Sequence, residues 1–85
     1  MITPEYLKTR FLSGLERRTM ELYSLIDVGD EDGIYRAFHS LAGIGGTYGF
    51  HEVTRLAREG EEHSATGDRA AMRRIVERIT AAALS

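Results

Sequence analysis

The sequence predicts an all-α fold, an antiparallel up-down bundle of four helices. Apolar residues recur at spacings of three, four and seven, and no segment alternates apolar and polar residues as a half-buried strand does. Short breaks rich in Gly and Asp divide the chain into four segments, and short connections favour antiparallel neighbours. We expect residues 1–85 to form a single domain, because this length supports one hydrophobic core.

The first predicted helix begins at the stretch Thr3-Pro4-Glu5. Thr3 is a typical N-cap, Pro4 suits the first turn, and the Glu5 carboxylate stabilises the positive end of a helix. The Val-Gly pair at residues 28–29 ends this helix near Asp27. The apolar stripe consists of Leu7, Phe11, Leu12, Leu15, Leu22, Leu25 and Ile26.

The second predicted helix carries the unusual composition of this chain. Asp30 or Asp32 is its N-cap, and the Thr-Tyr-Gly sequence at residues 47–49 is a tight connection to the next helix. Its core-facing residues are Ile34, Phe38, Leu41 and Gly45, with Ala37 and Ile44 beside them.

The third helix is predicted from about Phe50, with a break at residues 64–67, and Asp68 caps the fourth. The inward residues of the third helix are Val53, Leu56, Ala57 and Gly60. Those of the fourth are Met72, Ile75, Val76, Ile79 and Ala83.

Composition limits the classes of partner. Eleven Lys and Arg against 13 Asp and Glu give a net charge of −2, so no basic surplus points to nucleic acid or an anionic membrane. The chain has no cysteine, which excludes disulfides and thiolate metal sites. No apolar signal core or membrane-length segment is present. We expect a cytoplasmic monomer without a metal site or cofactor of its own.

One histidine of the second helix stands out. With about 100° per residue and Ile34 at zero, His39 lies roughly 140° away from the core side of the helix. Its imidazole is therefore predicted to face solvent. The neighbours predicted on the same outer face are Tyr35, Ala42, Gly43 and Gly46. Side chains on a helix lean toward its N-terminus, so the small residues that follow His39 leave its ring uncovered.

The glycines after His39 require an explanation, because each glycine inside a helix costs about 1 kcal/mol relative to alanine. Gly45 lies on the core face, where it permits close packing, and Gly49 suits the turn. Gly43 and Gly46 serve neither purpose. They are explained if the surface of another protein must come close to His39.

An exposed neutral imidazole is a competent nucleophile at physiological pH. No carboxylate lies one turn from His39 along its own helix, where the neighbours are Tyr35, Arg36, Ala42 and Gly43. An accessible but unassisted histidine suits accepting a group from a partner that brings the catalytic groups. The chain also lacks a P-loop or kinase motif, so we expect a carrier rather than an enzyme.

The segment FHSLAGIGGTYGF, residues 38–50, resembles the signature of histidine-containing phosphotransfer (HPt) domains. That signature is His, any residue, Leu, usually Lys, then Gly and small residues, with a Gly before the next helix. The resemblance implies a carrier in a bacterial-type two-component phosphorelay. His39 is then the phosphoaccepting residue, through Nε2, with Ala42, Gly43 and Gly46 as the small residues around it. The implied partner is a response-regulator receiver domain, which supplies Mg²⁺, or a hybrid histidine kinase.

One position departs from the signature: Ala42 stands where Lys is usual. The resemblance implies that the Lys approaches the phosphoryl oxygens. Arg36 lies about 60° from His39 on the helical wheel, so we expect it to supply part of the missing charge.

Several exposed residues are candidates for partner contact. Tyr35 and Arg36 flank His39, and Leu7, Phe11 and Tyr48 are expected to contact the receiver near one end of the bundle. The charged run REGEEH, residues 58–63, is expected to be a solvated face, and the arginines of the fourth helix are expected to serve solubility. These are Arg69, Arg73, Arg74 and Arg78.

Two other functions remain compatible with the sequence. A degenerate HPt-like adaptor or inhibitor binds a receiver or a kinase without being phosphorylated, and Ala42 favours this alternative. A helical interaction module or small homodimer has no part in a relay and buries the His39 face.

Overall fold

The computed structural model describes residues 4–85, and this part of the chain folds into four helices without a strand. Helix α1 covers Pro4–Val28, α2 covers Glu31–Thr47, α3 covers His51–His63 and α4 covers Arg69–Leu84. Helices α1 and α3 each pack against both α2 and α4. The predicted four-helix bundle is confirmed. None of the helices in this range combines the length and apolar character needed to cross a membrane.

Contacts between α2 and α3 show the antiparallel arrangement that positions the site. The Thr54 hydroxyl donates to the Ala42 carbonyl at 2.8 Å, and Glu61 contacts His39. Residue numbers therefore rise along one helix as they fall along the other. The connecting turn contains Gly49, whose φ of +82° lies in the left-handed region that glycine adopts without strain.

The helix ends follow the predicted signals. Asp30, rather than Asp32, caps α2 by accepting a hydrogen bond from the Gly33 amide at 3.0 Å. Asp68 caps α4 in the same way through the Ala71 amide. The predicted cap at Thr3 lies outside the described residues.

The core lies between the four helices and matches the predicted stripes in α3 and α4. Phe38 is fully buried, and a Cβ on Gly60 would lie 2.6 Å from its ring. Gly60 therefore makes room for the largest core side chain of α2. The buried apolar residues include Phe11, Leu15, Leu22, Ile26, Ile34, Phe38, Leu41, Ala42, Val53, Leu56, Ala57, Met72, Ile75, Val76, Ile79 and Ala83.

Most of the arginines expected to serve solubility make tertiary contacts. Arg69 donates to the Asp27 carbonyl at 3.1 Å, and Arg73 pairs with the Asp27 carboxylate at 2.7 Å. Arg78 lies 3.7 Å from Glu59. These contacts join α4 to the end of α1 and to α3, so these three residues make tertiary contacts in addition to the solubility expected of them.

Candidate phosphoacceptor site

His39 is held outward by its neighbour in the sequence. The Phe38 side chain is fully buried between the helices, whereas the His39 side chain is 66% exposed. Successive residues of a helix point about 100° apart, so anchoring Phe38 in the core directs His39 toward solvent. The ring is thus accessible to another protein.

The neighbours of His39 in its own helix predicted an unassisted ring, and this prediction is wrong. Glu61 of α3 places Oε1 at 3.1 Å from Nδ1 of His39, and the Glu61 side chain is only 14% exposed. A carboxylate accepts hydrogen bonds and donates none, so this contact fits the tautomer with the proton on Nδ1. In the neutral ring, Nε2 then carries the free lone pair.

Sequence reasoning missed Glu61 and assigned it to a solvated run. A helical wheel shows only the neighbours within the helix that contains His39, whereas Glu61 contacts the ring from the antiparallel helix α3. A signal was present: His39 and Glu61 are each eleven residues from Phe50, beside the turn that joins the two helices. This equal spacing suggests that the two residues lie at similar levels of the antiparallel helix pair.

Tyr35 contacts His39 from one turn earlier in α2. The two rings are nearly parallel, with an interplanar angle of 14° and centroids 5.8 Å apart. Tyr35 is itself 45% exposed. The stack limits rotation of the imidazole and leaves the side toward the C-terminus of α2 uncovered.

The small residues after His39 divide into two groups. A Cβ built on Gly43 would meet no atom within 4 Å, and Gly46 is also exposed. Ala42 was expected on the same outer face, and this prediction is wrong. Its side chain is 2% exposed, because α3 packs over that edge of α2 and Thr54 binds its carbonyl.

Arg36 lies on the other side of α2 from Glu61. It lines a groove of about 310 Å³ with Arg18 and Ser40, and Arg18 Nη1 lies 3.5 Å from Ser40 Oγ. Within residues 4–85 the Arg36 side chain makes no hydrogen bond or ion pair. It remains a candidate for contact with a partner or a phosphoryl group.

The expected docking residues lie at one end of the bundle but differ in how deeply they are buried. Phe11 is only 4% exposed, and its ring stacks on Phe50 with centroids 4.3 Å apart. The prediction that Phe11 itself contacts a partner is corrected: it supports Tyr48, whose ring centroid lies 6.1 Å away. Tyr48 and Leu7 are partly exposed.

A cationic cleft lies between α1 and α2 beside Tyr48. Its volume is about 480 Å³, and Arg10, Arg17 and Arg18 line it together with Ile44. Arg10 Nη1 lies 3.3 Å from the Tyr6 hydroxyl. Across the described part of the chain, none of these arginines forms an ion pair with a carboxylate. The cleft therefore presents uncompensated positive charge.

The Glu52 carboxylate, near the other end of α3, is paired with an arginine of its own helix. Arg55 donates from Nε to Glu52 at 2.8 Å, and this hydrogen bond holds the pKa of the Glu52 carboxyl below its usual range. Among residues 4–85, no group of three or more His, Asp or Glu side chains is arranged to hold a metal ion.

Comparison with known proteins identifies the family. The family model described as Hpt domain matches residues 7–84, nearly the whole chain, and the chain belongs to this family. Membership implies a part in phosphotransfer in two-component signalling and interaction with receiver domains and kinases. No curated protein and no solved structure matches the chain significantly.

Proposed function

We propose that the protein carries a phosphoryl group on His39 and exchanges it with the aspartate of a response-regulator receiver domain. The observation that carries this proposal is the pairing of Nδ1 of His39 with Glu61 at 3.1 Å on an otherwise open surface. This pairing leaves Nε2 as the nucleophile. The open space beside Gly43 leaves room for a partner.

The transfer is a displacement at phosphorus. The Nε2 lone pair attacks the phosphorus of the receiver's aspartyl phosphate, the bond from phosphorus to the carboxylate oxygen breaks, and the carboxylate is restored. The proton on Nδ1 stays there, hydrogen-bonded to Glu61, so the positive charge that develops on the imidazole meets a carboxylate. Transfer in the other direction reverses these steps.

The chain supplies a positioned nucleophile, and the receiver supplies the rest. In this proposal Mg²⁺ and the carboxylates that bind it belong to the receiver. Such a division suits phosphoryl transfer, in which catalysis consists mostly of positioning and electrostatic stabilisation. The protein then acts as a phosphoryl carrier rather than an enzyme, in the cytoplasm and as a monomer.

Docking is proposed to extend from His39 across α2 toward α1. Gly43 and Gly46 allow close approach, and Tyr48 and Leu7 offer partly exposed apolar surface. Arg17 and the cationic cleft favour a partner with carboxylates around its phosphorylation site.

The test is phosphotransfer from a panel of phosphorylated receiver domains with Mg²⁺ present. We expect acid-labile, alkali-stable phosphate on the wild type and none on His39→Gln. His51→Gln, which alters another exposed histidine, is the matched control and should be labelled like the wild type.

Two results would contradict the proposal. Binding to a receiver without label would favour the adaptor that is never phosphorylated. A stable dimer in light scattering that buries the His39 face, with no receiver binding, would favour the helical interaction module.

A further inference from the structure

The α3 face that carries Glu61 also carries an unused cation. Thr54, Arg58 and Glu61 are spaced by four and three residues, so they share one side of the helix. Both ends of this row contact α2, Thr54 through the Ala42 carbonyl and Glu61 through His39. Arg58 therefore projects from the edge of α3 that borders α2.

The antiparallel register places Arg58 beside the open side of His39. From Glu61 to Arg58 the path along α3 is about 4.5 Å, and from His39 to Gly43 the path along α2 is about 6 Å in the same direction. Since Thr54, further along the row, contacts the Ala42 carbonyl, Arg58 lies between the levels of His39 and Ala42. This is the side of His39 on which a Cβ at Gly43 would meet no atom within 4 Å. The other side of the imidazole is occupied by Tyr35.

Arg58 has no partner of its own in the described part of the chain. It is exposed, and no hydrogen bond or ion pair involves its side chain in residues 4–85. Its neighbour Arg55 differs, since it bonds to Glu52 and lies 3.7 Å from Glu59. Arg58 is therefore free to turn toward a new negative charge.

We propose that Arg58 binds the phosphoryl oxygens when His39 is phosphorylated. The positive charge beside the phosphoryl group then comes from α3 rather than from position 42, where Lys is usual, or from Arg36. The inference rests on the proposed role of His39. Guanidinium groups match phosphate oxygens in geometry as well as charge. The Glu61 carboxylate lies beside Nδ1, so without a cation at this edge of α3 the phosphoryl oxygens would face a negative charge there. Arg36 lines the groove on the α1 side of α2, away from Glu61.

The test uses the full chain and no receiver. Potassium phosphoramidate serves as phosphoryl donor: Nε2 attacks its phosphorus, the P–N bond of the donor breaks, and ammonia leaves. The lifetime of the phosphohistidine is followed by ³¹P NMR, and the Arg58 Nε–H signal is followed by ¹⁵N NMR.

Loss of Arg58 should shorten the lifetime of phosphohistidine. In hydrolysis the phosphoryl group becomes metaphosphate-like in the transition state, and its oxygens lose negative charge. A cation that binds the dianion therefore stabilises the ground state more than the transition state, which slows hydrolysis. We expect a reduction of about two- to fivefold in Arg58→Ala, the range typical of an exposed charge pair. Arg58→Lys should keep part of the effect, and the Arg58 Nε–H signal should shift on phosphorylation.

Arg74→Ala is the matched control, because it removes an exposed arginine of α4 and leaves α2 and α3 unchanged. An unchanged lifetime in Arg58→Ala, or an equal change in Arg74→Ala, would overturn the inference. So would a shorter lifetime in Arg36→Ala alone. These results leave the relay function intact. A chain that neither phosphoramidate nor phosphorylated receivers label at His39 would overturn both proposals.

Discussion

Nδ1 of His39 and Oε1 of Glu61 lie 3.1 Å apart and join the middle of α2 to the last turns of α3. The carboxylate is largely covered while the imidazole is mostly exposed. One partner is therefore held by the bundle and the other is presented to solvent. This contact makes the orientation of the His39 ring a property of the tertiary fold rather than of α2 alone.

Removing the Glu61 carboxylate should slow phosphotransfer without unfolding the protein. In Glu61→Ala the ring loses the acceptor that favours a proton on Nδ1, so a smaller share of molecules presents Nε2 correctly. We expect the rate to fall by about two- to tenfold, because one hydrogen bond contributes about 0.5–1.5 kcal/mol. Stopped-flow transfer from a phosphorylated receiver measures this.

The Glu61→Gln variant refines that prediction. Its amide oxygen still accepts from Nδ1, so it should transfer faster than Glu61→Ala but slower than the wild type, which also has the charge. Glu62→Gln is the control, since Glu62 is exposed and adjacent. Equal rates in Glu61→Ala and the wild type would remove Glu61 from the mechanism.

Tyr35 should matter through its ring rather than its hydroxyl. Tyr35→Phe keeps the stack on His39 and should transfer at close to the wild-type rate. Tyr35→Ala frees the imidazole to rotate, and we expect a loss of about two- to fivefold, since aromatic pairs contribute about 0.5–1.5 kcal/mol. The same transfer assay, with thermal unfolding to verify the fold, decides between them. Equal losses in both variants would instead point to the hydroxyl.

Local signals in the sequence were sufficient to predict where the helices begin and end. Apolar spacing, Asp30 and Asp68 as caps, and glycine at the turns act within a few residues, and the structure agrees with them. The outward direction of His39 is equally local, because it follows from the position of Phe38 in the same helix.

Relations between helices were not accessible from a single helical wheel. Ala42 lies near the boundary of the core face, and only the approach of α3 decides that it is buried. The contact of Glu61 with His39 depends on the register of α3 against α2. The need for glycine at position 60 depends on where the Phe38 ring meets α3. Each requires knowledge of which element covers which edge.

The glycines of α2 should separate stability from function. Gly43→Ala should raise the free energy of unfolding by up to about 1 kcal/mol, because the site is open and alanine favours the helix. Gly45→Ala should lower it by about 1–3 kcal/mol, since a Cβ there lies 2.8 Å from Thr54 Oγ1 and 3.3 Å from the Phe50 carbonyl oxygen. Urea unfolding measures both changes.

A larger side chain at position 43 should block transfer without loss of stability. Gly43→Leu projects into the open space where we propose that the receiver docks, so we expect transfer to fall by more than about tenfold, the effect of one overpacked contact. Wild-type transfer in a stably folded Gly43→Leu would show that the partner approaches His39 from another direction.

The cationic cleft should control the rate at which the receiver associates. Arg17 is exposed and has no carboxylate partner within residues 4–85, so Arg17→Glu reverses a charge without breaking a contact of the fold. We expect association to slow by about three- to tenfold at low salt, because charges at the rim of an interface act mainly on the association rate. Salt screens such charges over about 8–10 Å, so the difference should shrink as ionic strength rises. Arg74→Glu makes the same change on α4, and an equal effect there would mean that net charge, not the cleft, steers the partner.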